Sequence, residues 1–165
     1  MKIILVLIAT LIFSYTYSQE LNIGGTIGFG TEPKTLDLGT KTVGGSFEFR
    51  PLESILSLNV DPFLTFIPNK IILTTPVYFK FILGNKLRIC PAIGGFIRTN
   101  ANYGWKTGVN IEFDIYKSIF LFVTNDYYID YYKNDTPDHF GSSSSYTDRT
   151  SSYWFSLGMK KNILN

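Results

Sequence analysis

Residues 103 to 117, YGWKTGVNIEFDIYK, alternate without a slip. Trp105, Thr107, Val109, Ile111, Phe113 and Ile115 fall on one side, and Lys106, Gly108, Asn110, Glu112 and Asp114 on the other. A β-strand sends successive side chains to opposite faces, so this stretch has one apolar and one polar face. The same period of two predicts eight strands, over Leu21–Gly30, Lys41–Arg50, Ile55–Phe66, Ile71–Leu83, Leu87–Arg98, Tyr103–Tyr116, Ile119–Lys133 and Ser151–Met159. Most have about ten residues, as a tilted membrane strand requires, whereas soluble strands more often have about five or six. No segment after residue 18 keeps a 3.6-residue apolar period, so no helix is expected there.

Alternation alone does not say which face looks inward, since a lipocalin reads the same way with its faces exchanged. The polar positions decide it. The chain is 17% charged, against about 25% in typical soluble proteins. The polar face is mostly Gly, Ser, Thr and Asn, with scattered charges of both signs: Asn22, Gly24, Thr26 and Gly28 in the first strand, Ser57, Asn59, Asp61 and Thr65 in the third. Small residues suit the filled interior of a narrow eight-stranded barrel, where opposite charges can pair. Tyr103, Trp105, Tyr116, Tyr127, Tyr131 and Tyr153 collect near strand ends, as aromatic girdles do at headgroup level. The polar face is therefore expected inside and the apolar face against lipid.

The connections support that orientation. Those after the first, third, fifth and seventh strands are TEPKTLDLGT, IPN, TNAN and the long NDTPDHFGSSSSYTDRT; the others are PLES, GNK and KS. Longer loops on one side and short turns on the other characterise outer-membrane barrels. Residues 1–18 read as a cleaved signal peptide, with Lys2 before the eleven-residue apolar run Ile3 to Phe13, then Thr16 and Ser18 at the −3 and −1 positions. Such a run is too short to anchor the chain as a helix. Residues 19–165 then form one outer-membrane β-barrel domain, with fourteen basic and thirteen acidic residues once Lys2 is removed. That balance gives no reason to expect nucleic acid as a partner. The single cysteine, Cys90, excludes an internal disulfide.

At Ile72 to Ile97, ILTTPVYFKFILGNKLRICPAIGGFI, the chain resembles the outer-membrane β-barrel domain family of the PorT kind. The resemblance rests on Pro76, Lys80, Phe81, Gly84, Pro91, Gly94 and Gly95, and on IGGTIGFG and YWFSLGMK near the two ends. It implies an integral outer-membrane location, an antiparallel barrel and no catalytic residues. Many such barrels end on an aromatic residue read during assembly, whereas this chain ends KKNILN.

Parity places Glu48, Arg50, Asp61, Lys80, Arg88, Arg98, Lys106, Glu112, Asp114, Asp126, Asp130 and Lys160 in the lumen. They could line a pore; eight strands leave an interior just wide enough for side chains, so a closed ion-pair network is expected. His139, beside Asp138 and Ser142, brings a lipid-A-modifying enzyme into consideration. A serine run on a loop lacks the rigidity a catalytic triad needs, and no catalytic residue is assigned. Asp126, Asp130, Asp135, Asp138 and Asp148 show no calcium-loop spacing, so neither metal nor cofactor is expected. Cys90 is expected as a small lumen filler. The chain reads as an eight-stranded antiparallel transmembrane up-and-down β-barrel in the cell outer membrane of a Gram-negative organism, non-enzymatic, with a structural, surface-binding or assembly role. The partners expected are outer-membrane lipid, the barrel-assembly machinery and a surface ligand held through loop 134–150. The competing readings are a soluble lipocalin-like carrier of an apolar ligand and the lipid-A enzyme.

Overall fold

The computed structural model describes residues 19–31, 40–51, 54–99, 102–137 and 143–164; the expected signal peptide, Asp138, His139 and Ser142 lie outside them. The strands are β1 (Gln19–Thr31), β2 (Thr40–Pro51), β3 (Leu56–Val60), β4 (Phe63–Ile67), β5 (Lys70–Phe81), β6 (Leu87–Arg98), β7 (Tyr103–Tyr116), β8 (Ile119–Pro137) and β9 (Ser143–Asn162). β3 and β4 both lie between β2 and β5, so together they act as one barrel strand. Every pairing is antiparallel, and β9 returns to β1 through pairs such as Gly28 with Ser156. The sheet closes as an eight-stranded barrel, as the alternation predicts.

The expected third strand, Ile55–Phe66, is interrupted at Asp61 and Pro62. Register survives the break: Val60 pairs with Val77, and Phe63 with Thr74. Pro76 stands opposite the gap, with its carbonyl accepting the Asp61 N–H. Two prolines at one level remove two ladder donors, so pairing lapses there without a slip. The other departure lies at β8 and β9. The expected loop 134–150 is largely strand, with β8 running to Pro137 and β9 starting at Ser143 instead of Ser151. At the opposite end, Lys117 and Ser118 join β7 to β8 with φ of 43° and 65°. Both left-handed residues give the twist that two-residue hairpin turns need.

The two faces separate as expected. Ile27 (62% exposed), Ile97 (66%) and Trp105 (60%) represent an apolar outer wall. Inside, Glu48 and Glu112 are fully buried and Lys80 is 1% exposed. The lipocalin-like reading needs the reverse arrangement and fails on this point.

Candidate functional site: the filled lumen and the projecting hairpin

The lumen is stacked in layers from the short-turn end toward the long-loop end. Nearest the short turns, Arg50 Nη1 lies 3.4 Å from Glu20 Oε2, and its Nε donates to the Ser54 carbonyl at 2.7 Å. Above it sits a four-residue ionic box. Lys80 and Lys160 each bridge Glu48 and Glu112: Lys80 Nζ reaches Glu112 Oε1 at 2.6 Å and also pairs with Glu48, while Lys160 Nζ reaches both carboxylates at 2.7 Å. Asn22 Nδ2 donates to the other Glu48 oxygen at 3.1 Å. Two cations against two anions leave the box neutral, which is what makes full burial of four charges sustainable. Cys90 is buried among the inward residues of β6, as a filler would be.

A middle layer follows. Tyr78 donates its hydroxyl to Asp61. Lys106 Nζ lies 3.1 Å from Asp126 Oδ2 and 3.5 Å from the centre of the Tyr78 ring. A cavity of about 30 Å³ between Asp61, Asp126 and Trp154 has room for only about two water molecules. Toward the long loops, Phe63, Phe96, Tyr128 and Trp154 close the bore, with ring centres 5.0 Å apart for Phe96 and Tyr128 and 5.6 Å for Phe63 and Trp154. Arg98 caps this cluster, 5.0 Å over the Phe96 ring and 2.6 Å from Asp130.

Most residues assigned to the lumen by parity are therefore there and in contact. Asp114 is the exception. It keeps the inward register, paired with the buried Phe120, but at the short-turn end of β7 it has passed the filled part of the lumen and is exposed. Arg88 stays at the short-turn rim, 4.3 Å over the Phe120 ring, with its Nε donating to the Asn85 carbonyl. The aspartates considered for calcium disperse: Asp126 goes to Lys106, Asp130 to Arg98, and Asp148 accepts from the Tyr132 hydroxyl at 2.9 Å. Asn22 and Phe63 were not singled out from sequence, although parity from their neighbours points both inward.

At the long-loop end the β8–β9 ladder outlasts its neighbours. Among the described residues, the last pair of β7 with β8 is Tyr103 with Tyr131, and that of β1 with β9 is Thr31 with Tyr153. The β8–β9 pairs continue to Pro137 and Ser143. At ~3.4 Å per residue, the segment from Tyr132 to Pro137 extends this ribbon roughly 20 Å past the wall. Around its base are outward Tyr pairs, Tyr127 with Tyr153 at 4.8 Å and Tyr103 with Tyr131 at 6.0 Å between ring centres.

No protein-family model matches the sequence, and no curated protein does. Solved structures do. A de novo designed transmembrane β-barrel superposes with a TM-score of 0.61 at 12% identity, over 87% of this chain and 95% of that one. Neisserial surface protein A superposes with a TM-score of 0.59 at 10% identity, over 88% and 97%. A second design, TMB2.3, gives 0.58 at 9% identity, over 90% and 98%. At such identities the likeness is one of fold, and the fold is that of the small eight-stranded outer-membrane-type β-barrels.

Proposed function

We propose that this chain is a small integral outer-membrane protein of the PorT kind, non-enzymatic, whose closed barrel is a rigid base for the β8–β9 hairpin as a surface-binding element. The observation that carries the reading is the inverted distribution of polarity, with an apolar wall outside and a neutral ionic box inside. In water, that wall would be an aggregation surface far larger than a soluble monomer tolerates. A lumen packed with side chains and paired charges supports a structural role over transport or catalysis. The hairpin supports a binding role: its chain carries Tyr and a run of Ser, residues that give rigid contact area and adaptable hydrogen bonds in recognition loops.

The orientation is tested at one position. Ile111 is 39% exposed on the outer wall, while its neighbour Asn110 is 2% exposed in the lumen. Ile111→Arg is expected to lower folding stability in liposomes by roughly 2–4 kcal/mol if the site lies near the midplane. Ile111→Trp is expected to fold normally, since lipid leaves no packed core to overfill. Wild type should need detergent and shift its gel mobility on boiling. Soluble protein without detergent, or tolerated Arg with damaging Trp, would overturn the reading.

A further inference from the structure

The outer wall is not evenly covered. On β6, outward side chains run Ile93, Gly95, Ile97, and the register sets Gly95 between Val77 of β5 and Trp105 of β7. The missing side chain deepens an open groove in the wall there, about 580 Å³ in all. Its walls include Val77, Ile97, Tyr103 and Trp105, with Thr75 at one end. The barrel does not need glycine here. A Cβ on Gly95 would come no nearer than 3.5 Å to any atom, the Gly104 carbonyl oxygen. Gly94 differs, because a Cβ there would run into Tyr78 and the Val77 carbonyl. One glycine of the pair is required by packing inside, and the other opens a hollow outside.

We infer that this groove holds one acyl chain of a membrane lipid from the leaflet on the long-loop side, an inference that rests on the membrane location proposed above. Tyr103 and Trp105 begin β7 at the long-loop end, where aromatic side chains mark the headgroup level. A chain descending from that level passes Tyr103 and lies over the bare Gly95 backbone against the Trp105 indole. Among the described residues no charged side chain lines the groove, so they offer nothing to the carboxylate of a free fatty acid and recognise the hydrocarbon alone. A second copy seated there would appear in the native mass spectrum as a dimer that Gly95→Leu abolishes, and would overturn the inference.

The test compares Gly95→Leu, which fills the groove, with Gly25→Leu, a matched change on the outer face of β1 where a Cβ comes no nearer than 3.7 Å to its surroundings. Each full-length protein is extracted from membranes in mild detergent, checked for the boiling-dependent gel shift, and examined by native mass spectrometry. Wild type and Gly25→Leu are expected to retain one lipid, and Gly95→Leu to lose it while keeping the gel shift. In vesicles of chain-brominated phosphatidylcholine diluted into unbrominated lipid, Trp105 fluorescence is read in a Trp154→Phe background. At each brominated fraction, quenching should be stronger when Gly95 is intact, because a chain held in the groove lies against the Trp105 indole, than when Gly95→Leu is added. A wild type that retains no lipid, equal retention by both leucine variants, or equal quenching with and without Gly95→Leu overturns the inference. A wild type without gel shift or detergent requirement instead overturns the membrane reading itself.

Discussion

Among single residues, Glu48 and Glu112 organise the lumen, because each accepts from both Lys80 and Lys160. Removing one member of a buried ionic set leaves the others charged without compensation, a loss of about 3–5 kcal/mol. Glu48→Gln should therefore destabilise the barrel by that order, and Lys160→Met likewise. The double variant restores neutrality, with one lysine against one glutamate, and should lose clearly less than the two single losses added together. Urea unfolding of all four proteins in liposomes gives the coupling directly. Additive losses would mean that the four groups do not act as one unit. Parity was enough to put these four inside, but their pairing was not legible. Lys160 and Glu48 are 112 residues apart, and only closure of β9 on β1 brings them together. Asp114 differs for another reason: parity gives a residue's face but not its depth, and Asp114, in register with Phe120, lies at the short-turn rim beyond the packed lumen.

Strands were readable wherever one face meets an apolar wall and the other a packed lumen, since that contrast is what creates the period of two. The ribbon beyond Tyr131 and Tyr153 has no such contrast. No described third strand flanks it, and its sequence shows no apolar alternation, so residues 134–150 read as loop although most of them pair. The gap at Asp61 and Pro62 was hidden in the opposite way, because register and parity continue across it. A two-stranded ribbon is marginal on its own, which separates its stability from that of the barrel. Amide exchange should be fast from Tyr132 to Thr136 and from Ser143 to Thr150, and slow in the same two strands below Tyr127. Replacing residues 133–147 by Asn-Gly, which joins the ladder partners Tyr132 and Asp148, should leave the gel shift and the urea midpoint unchanged. A lowered midpoint would make the ribbon part of the fold and would count against its use as a surface-binding element.

For the whole molecule, closure of the bore depends on two seals at different levels. The ionic box blocks the short-turn half, and the cluster of Phe63, Phe96, Tyr128 and Trp154 blocks the long-loop half. Barriers in series are governed by the larger one, so relieving either alone leaves the path closed. Wild type should give no steady conductance in planar bilayers, since both layers are in place and the space between them is only about 30 Å³. Trp154→Ala with Tyr128→Ala empties much of the aromatic layer and leaves the box intact; it too should be silent. Glu48→Ala with Lys160→Ala thins the box while keeping its charge balance, and the aromatic layer still closes the other half. Only the fourfold variant removes both, and it should show steps whose size rises with salt concentration. The four proteins must first pass the gel-shift check, because a misfolded barrel also leaks. Conductance from either double variant would mean that a single layer closes the bore, and stable large steps from wild type would make the protein a channel.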